Sequence, residues 1–363
     1  MVIGHFPSII MTVCYFGTYD PTYTRNRINL EGLRRQGMTI IECRTDEKSK
    51  KKYGRLIRKH WAIRQQYQVM VVGFAGHAIM PLAWLLCKLH RKKLVLDLFV
   101  SEYDSVILDR KTFSPRSWQA KKYWLMDWLA CTLADRLLLE TDSHIDFFSK
   151  TFKIKRSKFR RLIIGADESI FKPAAQPSPS HDEFIVHFHG SYAPVQGVSY
   201  IIDAAANLKA EPIRFNIIGK KTNYRHEIER AESLGLSNIT FVDALPYDEL
   251  ARQMSDADVC LGMFGDVPKT QFTSAFKIIE AMALRKPVIT AETRAMREQF
   301  TDRVHCLFCK AADGKDLAEK IMTLKNDPDL ATNLARNGYE LFKAEMTPAS
   351  IGNYFLEIIK QLG

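Results

Sequence analysis

The chain has 363 residues, 46% hydrophobic and 26% charged. That composition excludes a disordered or fibrous protein and suits two domains able to bury their cores without disulfides or structural metal. Lys and Arg number 52 against 41 Asp and Glu, a net charge of +11, which suggests an anionic partner such as nucleic acid, anionic lipid or a phosphorylated ligand. The charge is uneven: residues 1–180 hold 31 basic and 16 acidic side chains (net +15), residues 181–363 hold 21 and 25 (net −4).

In chain order, apolar runs predict strands at Val13–Phe16, Thr39–Cys43, Val69–Phe74, Leu94–Leu98, Leu137–Leu139 and Leu162–Ile164. A helix is expected over Asn26–Gln36, closed by Gly37, and another over Pro81–Leu89. Continuous hydrophobic strands are expected of parallel sheets covered on both faces. Val69–Leu89 is near membrane-spanning length, but Gly73, Gly76, His77 and Pro81 divide it, so strand, turn and helix explain it better than a single span. Pro173–His181 reads as a linker, and the charge changes sign there.

The alternation then restarts. Strands are expected at Phe184–His189, Arg214–Ile218, Ile239–Val242, Val259–Met263 and Val288–Thr290. Helices are expected at Tyr200–Leu208, Arg225–Leu234, Tyr247–Met254, Phe276–Leu284, Asp316–Lys325, Pro328–Ala344 and Ser350–Gln361. The expected fold class is α/β, with two doubly wound Rossmann-like domains facing across a cleft. The boundaries are 1–172, a linker at 173–182, a second domain at 183–345, and a final helix in 346–363 packing back on the first domain. Ligands of such sheets bind beyond the carboxyl ends of the strands, so chemistry is sought in the loops that follow them.

The seven cysteines, Cys14, Cys43, Cys87, Cys131, Cys260, Cys306 and Cys309, are scattered and odd in number. They read as buried thiols in a reducing, cytoplasmic setting, and Cys306-x-x-Cys309 is a lone pair with neither a second pair nor a helix start after it. Met1–Ile10 lacks the cationic start and long apolar core of a signal peptide. No His/Asp/Glu spacing suggests a metal site, and neither metal nor cofactor is expected.

In the second half, the first strand runs into His189-Gly190-Ser191-Tyr192, then Gln196-Gly197 and a helix. A glycine there lets backbone amides approach an anion at the positive end of a helix, although a plain turn has the same look. Gly219-Lys220-Lys221 repeats the pattern, its lysines either meeting phosphate or facing solvent. The next strand leads into Val242–Leu245. The densest signal is KTQFTSAFKIIEAMALRKPVIT, Lys269–Thr290. Lys277 and Glu280 share one face of a helix starting near Ser274. A carboxylate there can accept two ribose hydroxyls and a lysine can neutralise a diphosphate. A surface ion pair of little energetic meaning is the alternative, and the proline-led strand Pro287–Thr290 favours the functional reading.

Four segments, FHGSYAPVQGVSYIIDAAANL, FNIIGKK, ITFVDALPYDELARQMSDADVCLGMF and FKIIEAMALRKPVIT, resemble in order and spacing the donor-binding domain of family 4 glycosyltransferases, which have the GT-B fold. The resemblance implies transfer of a sugar from a nucleoside-diphosphate sugar to a carbohydrate or lipid-linked acceptor in glycan synthesis, with retention. It implies diphosphate contact at Gly190, base contact at the Val242–Leu245 loop and ribose held by Glu280; Gly17, Ser191, Gly219, Lys220, Lys269 and Lys277 are the further donor candidates of these loops. The sequence departs from the family pattern where Arg and Lys give way to Ser191 and Gln196, and where the first glutamate of the paired motif is Phe272. It is similar to a subgroup carrying GSYxPxQG and FKxxE. Lys269 and Lys277 are expected to supply the missing positive charge.

In the first half, Gly17 suits close backbone approach after the opening strand. Arg25 and Asn26 sit at a helix start, either gripping an anionic acceptor or merely following a Thr24 cap. His77 either lines the cleft or caps the next helix. Asp97 and Glu102 are the nearest polar candidates where many family members carry a catalytic histidine, and either would serve as general base if the enzyme inverts. Lys48–Arg64 carries eight Lys/Arg with Leu56, Ile57, Trp61 and Ile63 at roughly helical spacing, a pattern suited to an anionic membrane surface or to a solvated face. Peripheral attachment to the inner membrane face is the expectation, and Lys150–Arg161 extends the basic surface. Two rivals stand: a catalytically inactive subunit of the same fold, and a nucleic-acid binder, which lacks any recognisable nucleic-acid motif here.

Overall fold

The computed structural model describes residues 11–174, 182–220 and 225–362. Most of the linker expected at 173–182, the amino-terminal ten residues and Lys221 lie outside them. The first domain comprises β1 (Thr12–Gly17), α1 (Thr24–Arg35), β2 (Thr39–Arg44), α2 (Lys51–Ile63), β3 (Val69–Val72), α3 (Met80–Leu89), β4 (Lys93–Asp97), α4 (Trp118–Leu133), β5 (Arg136–Leu139), α5 (Asp142–Phe152) and β6 (Phe159–Arg161). The second comprises β7 (Phe184–His189), α6 (Val198–Asn207), β8 (Ile213–Ile218), α7 (Arg225–Ser233), β9 (Ile239–Val242), α8 (Tyr247–Ser255), β10 (Val259–Leu261), α9 (Phe276–Ala283), β11 (Val288–Ala291), α10 (Arg294–Arg297), β12 (Leu307–Cys309), α11 (Gly314–Asn326) and α12 (Pro328–Leu341). The last helix is α13 (Pro348–Lys360).

Both sheets are parallel and six-stranded, ordered β2-β1-β3-β4-β5-β6 and β12-β11-β10-β7-β8-β9. The strand order reverses beside β1 in the first sheet and beside β7 in the second, which is where open α/β sheets form ligand crevices. The inner strands are buried because helices cover both faces, as the unbroken runs VMVV of β3 and VITA of β11 require, while the edge strands β2 and β9 are only partly covered.

One predicted strand moves. Residues 162–164 lie beyond β6, and Phe159–Arg161 pairs with β5 instead. The carbonyls of Leu162 and Ile163 bond the Arg25 guanidinium, each at 3.0 Å, and this claims acceptors a further strand pair would need.

The helix α13 returns to the first domain and packs against α1. A Cβ on Gly352 would lie 2.0 Å from the Gly32 carbonyl oxygen, so the two backbones approach too closely for any side chain at the crossing. One buried cluster runs from Ile28 and Leu33 through Phe342, Met346, Ile351 and Phe355 to Ile278 and Met282. The two domains therefore share apolar packing at their C-terminal connection.

Candidate functional site

A cavity of ≈ 270 Å³ lies between the domains, beyond the carboxyl ends of both sheets. Its first-domain wall includes Tyr23, Phe99 and Glu140, and its second-domain wall includes His189, Gly190, Gln196, Ser274, Lys277 and Glu280. The setting follows from topology: β5 ends just before Glu140, β7 ends at His189, and α9 begins at Phe276.

On the second-domain wall Gly190 lines the cavity, but its amide donates to the Ile218 carbonyl at 2.9 Å and so is not the free anion donor expected from the sequence. A Cβ there would meet Gln196 Oε1 at 2.0 Å and Lys277 Nζ at 2.8 Å. Lys277 is 5% exposed, and its Nζ lies 3.9 Å from the centre of the Phe188 ring. That amine has no hydrogen-bond partner among the described residues. Burial pushes its pKa down to about 7, with Glu280 opposing the fall. A dehydrated, unpartnered amine on a cavity wall is a site for an anion.

Glu280, one helical turn on, is 2% exposed. His189 Nε2 lies 3.0 Å from Glu280 Oε2, and His187 Nε2 lies 3.0 Å from His189 Nδ1. The carboxylate only accepts, so His189 donates to it through Nε2, and the His189 Nδ1–His187 Nε2 bond ties the second ring to the first. His187 Nδ1 is buried with no partner among the described residues. Burial pushes the pKa of His187 well down, with His189 and Lys277 adding repulsion, so its ring stays neutral. The chain fixes one oxygen of Glu280 and leaves the other for a ligand.

Contacts across the cleft hold the walls together. Thr24 Oγ1 and the Tyr247 hydroxyl are 2.9 Å apart, and Asp109 accepts from the Val195 amide at 3.0 Å. Thr141 Oγ1 donates to the Phe272 carbonyl at 2.5 Å while also accepting the His144 amide, so the cap of α5 is tied to the second domain. Glu298 accepts the amides of Asp142 and Ser143 at 2.7 and 2.8 Å, placing a carboxylate on the α5 N-terminus from the other domain.

The predicted site residues fall into two groups. Gly190, Lys269, Lys277 and Glu280 meet at the cavity. Lys269, however, is held by Asp104 at 2.9 Å and Ser105 at 2.7 Å, an ion pair across the domains that already neutralises its charge. Ser191 is exposed, with its Oγ accepting from Gln196 at 3.3 Å. Gly219 is buried against Tyr192: a Cβ would lie 2.2 Å from that ring. Lys220 is exposed, and Val242 and Leu245 are half-buried against the shared apolar cluster outside the cavity lining. Gly17 ends β1 facing Ile79.

On the first-domain side the structure corrects the assignments. Asp97 is fully buried, bidentate to Arg25 at 2.9–3.1 Å and bonded by Asn29 at 2.8 Å, so no acceptor hydroxyl reaches it. Arg25, 1% exposed, spends its other nitrogen on the Leu162 and Ile163 carbonyls and grips no ligand. Asn26 is consumed internally, accepting from Tyr15 and the Phe74 amide and donating to the Asp20 carbonyl. His77 is 3% exposed beside Asp127 of α4, away from the cavity. Glu102 is half-buried, its amide on Asp127, and it too lies outside the lining.

Two residues that the motifs did not single out as polar site groups line the site, His189 and Glu140, with His144 behind Glu140. His189 was legible as the last residue of a strand before glycine. Glu140 follows the apolar run of β5 as a lone carboxylate, the position at which a strand delivers a side chain to the crevice. Among the described residues no group of three or more His, Cys, Asp and Glu stands together in a way that could hold a metal ion.

Residues 171–341 match the family described as glycosyl transferases group 1. Alpha-D-kanosaminyltransferase of Streptomyces kanamyceticus is 21% identical over 277 residues, which cover 73% of this chain and 68% of that protein. Among solved structures, HepE of Anabaena in complex with UDP-glucose superposes with a TM-score of 0.73 at 15% identity, over 97% of this chain and 100% of that one. Sucrose-phosphate synthase of Thermosynechococcus elongatus gives 0.74 at 16% identity, over 97% and 99%. Both share the two-domain architecture.

Proposed function

We propose that the protein is a glycosyltransferase of the hexosyltransferase type on a GT-B scaffold, a retaining member of family 4 acting on a carbohydrate or lipid-linked acceptor in glycan synthesis. The observation that carries the donor assignment is the buried, unpartnered Lys277 amine between Gly190 and Glu280. In this reading Glu280 holds the ribose and Lys277 takes the diphosphate; HepE, which shares the fold, was solved in complex with UDP-glucose. The C1–O bond to the diphosphate breaks, and the charge on the leaving oxygen meets Lys277 while the sugar passes through an oxocarbenium-like state. The acceptor oxygen bonds to C1 on the departing face, and its proton goes to the leaving phosphate oxygen. Retention is what the family resemblance implies, and Asp97, locked to Arg25, does not serve as the base that inversion would need. Phe272, in place of the first motif glutamate, supports the subgroup assignment.

The acceptor side includes an anionic bilayer surface in this proposal. On α2, Ile57 and Trp61 are exposed beside Lys51, Arg55, Arg58 and Lys59, and Trp61 approaches His90 at the end of α3, next to exposed Leu89. Apolar anchors ringed by cations suit an interfacial helix. No helix among the described residues is long and apolar enough to cross a membrane. All seven cysteines are unpaired and buried, which supports a cytoplasmic setting.

A screen of nucleotide sugars for donor hydrolysis and transfer tests the enzyme reading. Turnover with one nucleotide series is expected, and none with any would count against it. Co-sedimentation with phosphatidylserine vesicles tests the surface, with Arg58→Glu/Lys59→Glu and Trp61→Ser each expected to release the protein.

A further inference from the structure

We propose that Glu140 binds hydroxyl groups of the sugar being transferred, reaching the donor from the first domain, and that His144 positions it. The proposal rests on the donor reading of the opposite wall and adds the group that meets the sugar itself.

Glu140 and Glu280 are the two carboxylates lining the cavity. Glu280 is committed on one oxygen to His189. Glu140 is 1% exposed, and both its oxygens face a single donor, His144 Nδ1, at 2.9 and 3.1 Å. A carboxylate has about four acceptor positions, so one N–H leaves most of its capacity unused. Burying such a group is costly unless partners arrive, and no lysine or arginine is within ion-pair distance of it among the described residues. The facing wall supplies complementary groups: Ser274 Oγ and Lys277 Nζ are buried, unpartnered among the described residues, and belong to cavity-lining residues. A sugar hydroxyl donates as well as accepts, so it can donate to Glu140 while accepting from Ser274 or Lys277. Phe99 and Phe276, with ring centres 5.4 Å apart, give the same cavity an apolar surface for the C–H face of a pyranose.

The local chain explains why Glu140 stands where it does. Thr141 caps α5 and is bonded to the Phe272 carbonyl, so the residue before it is fixed at the domain junction. His144, at the end of that first turn, reaches back to Glu140, and its ring lies 5.0 Å from Phe272 and 5.2 Å from Phe148. Phe272 also stacks on Phe147 at 4.3 Å, filling the space beside the pair with apolar surface. The imidazole is thus held in one orientation, Nδ1 towards the carboxylate. His144 acts through Glu140 and touches no ligand.

The test is calorimetric titration of the full chain with UDP, GDP, UDP-glucose and GDP-mannose, for wild type and for Glu140→Gln, Glu140→Asp, His144→Phe and His144→Asn. The nucleotide that binds wild type establishes the donor reading, and binding of none overturns that reading and this one with it. Glu140→Gln should leave the free nucleoside diphosphate within about twofold of wild type and weaken the cognate nucleotide sugar by about tenfold or more. Glu140→Asp, with its shorter reach, should lose most of the same increment. His144→Phe should follow Glu140→Gln, and His144→Asn, whose amide N–H can replace Nδ1–H, should recover part of the affinity. Equal weakening of nucleotide and nucleotide sugar, or no change in either, overturns the assignment. Unchanged nucleotide-sugar affinity with lost turnover also overturns it, by making Glu140 a proton acceptor.

Discussion

The Lys277 Nζ sits 3.9 Å from the centre of the Phe188 ring, with no hydrogen-bonding partner among the described residues to solvate it. Burial holds its pKa near 7, so in the free protein it is largely neutral above that pH. A bound diphosphate restores the charge, and the complex then holds a proton the free protein lacks. Linkage requires affinity to fall as pH rises above 7. Between about pH 7.5 and 9, where a terminal phosphate with a second pKa near 6 no longer titrates, the loss should approach about tenfold per unit. Lys277→Met should bind weakly with a flat profile over that range. Titration calorimetry in buffers of different ionisation enthalpy reads the proton uptake directly.

The same shift acts on stability. The folded lysine loses its proton near pH 7 and the unfolded one keeps it to about 10.5. The unfolded state therefore binds more protons over that interval, and this group makes the folded protein more stable as pH rises through it. Chemical denaturation of wild type and Lys277→Met at pH 6.5 and 8.5 should show Lys277→Met gaining more at the lower pH.

Lys269 and Asp104 form the buried ion pair across the cleft. Removing one partner strands the other charge in a low-dielectric site, at a cost of about 3–5 kcal/mol. Lys269→Ala is expected to lose stability of that order, and Lys269→Ala/Asp104→Ala to recover part of it. A loss in the double variant equal to the sum of the Lys269→Ala and Asp104→Ala losses would show that the pair is not coupled.

Arg25 and Asp97 make the corresponding pair inside the first domain. Arg25→Met leaves a buried carboxylate and two carbonyls without their donor, and should cost about 3–5 kcal/mol by denaturant unfolding. Asp97→Asn should lower the melting temperature while leaving the pH dependence of turnover unchanged, because Asp97 is locked away from the cavity.

Gly352→Ala tests the return of α13. The added methyl meets the Gly32 backbone at 2.0 Å, which no side-chain rotation relieves. The loss should reach the upper end of the about 1–3 kcal/mol typical of overpacking, or exceed it, with the melting temperature as readout.

The sheets were legible in the sequence because parallel strands buried on both faces read as unbroken apolar runs, as in Phe184–His189, where the predicted strand coincides with β7. Residues 162–164 misled because the same apolar signal there reports burial, with the carbonyls turned to Arg25. On the second domain, Gly190, Lys277 and Glu280 lie within short sequence spans, so spacing along β7 and α9 could place them. The first-domain candidates failed for a different reason. Arg25, Asn26 and Asp97 are polar residues after strands or at a helix start, but Arg25 and Asp97 satisfy each other and Asn26 is spent on Tyr15, Phe74 and Asp20, and a partner 72 residues away is invisible to local pattern. Glu140 escaped notice because its meaning comes from the facing domain.

In the proposed function, Glu280 and its neighbours hold a nucleoside diphosphate. The most direct measurement is titration of wild type and Glu280→Ala with UDP and GDP at pH 7. One of the two is expected to bind wild type, and Glu280→Ala to weaken it by about tenfold or more through loss of charge-assisted ribose bonds. Binding of neither nucleotide, or equal affinity in wild type and Glu280→Ala, would contradict the account.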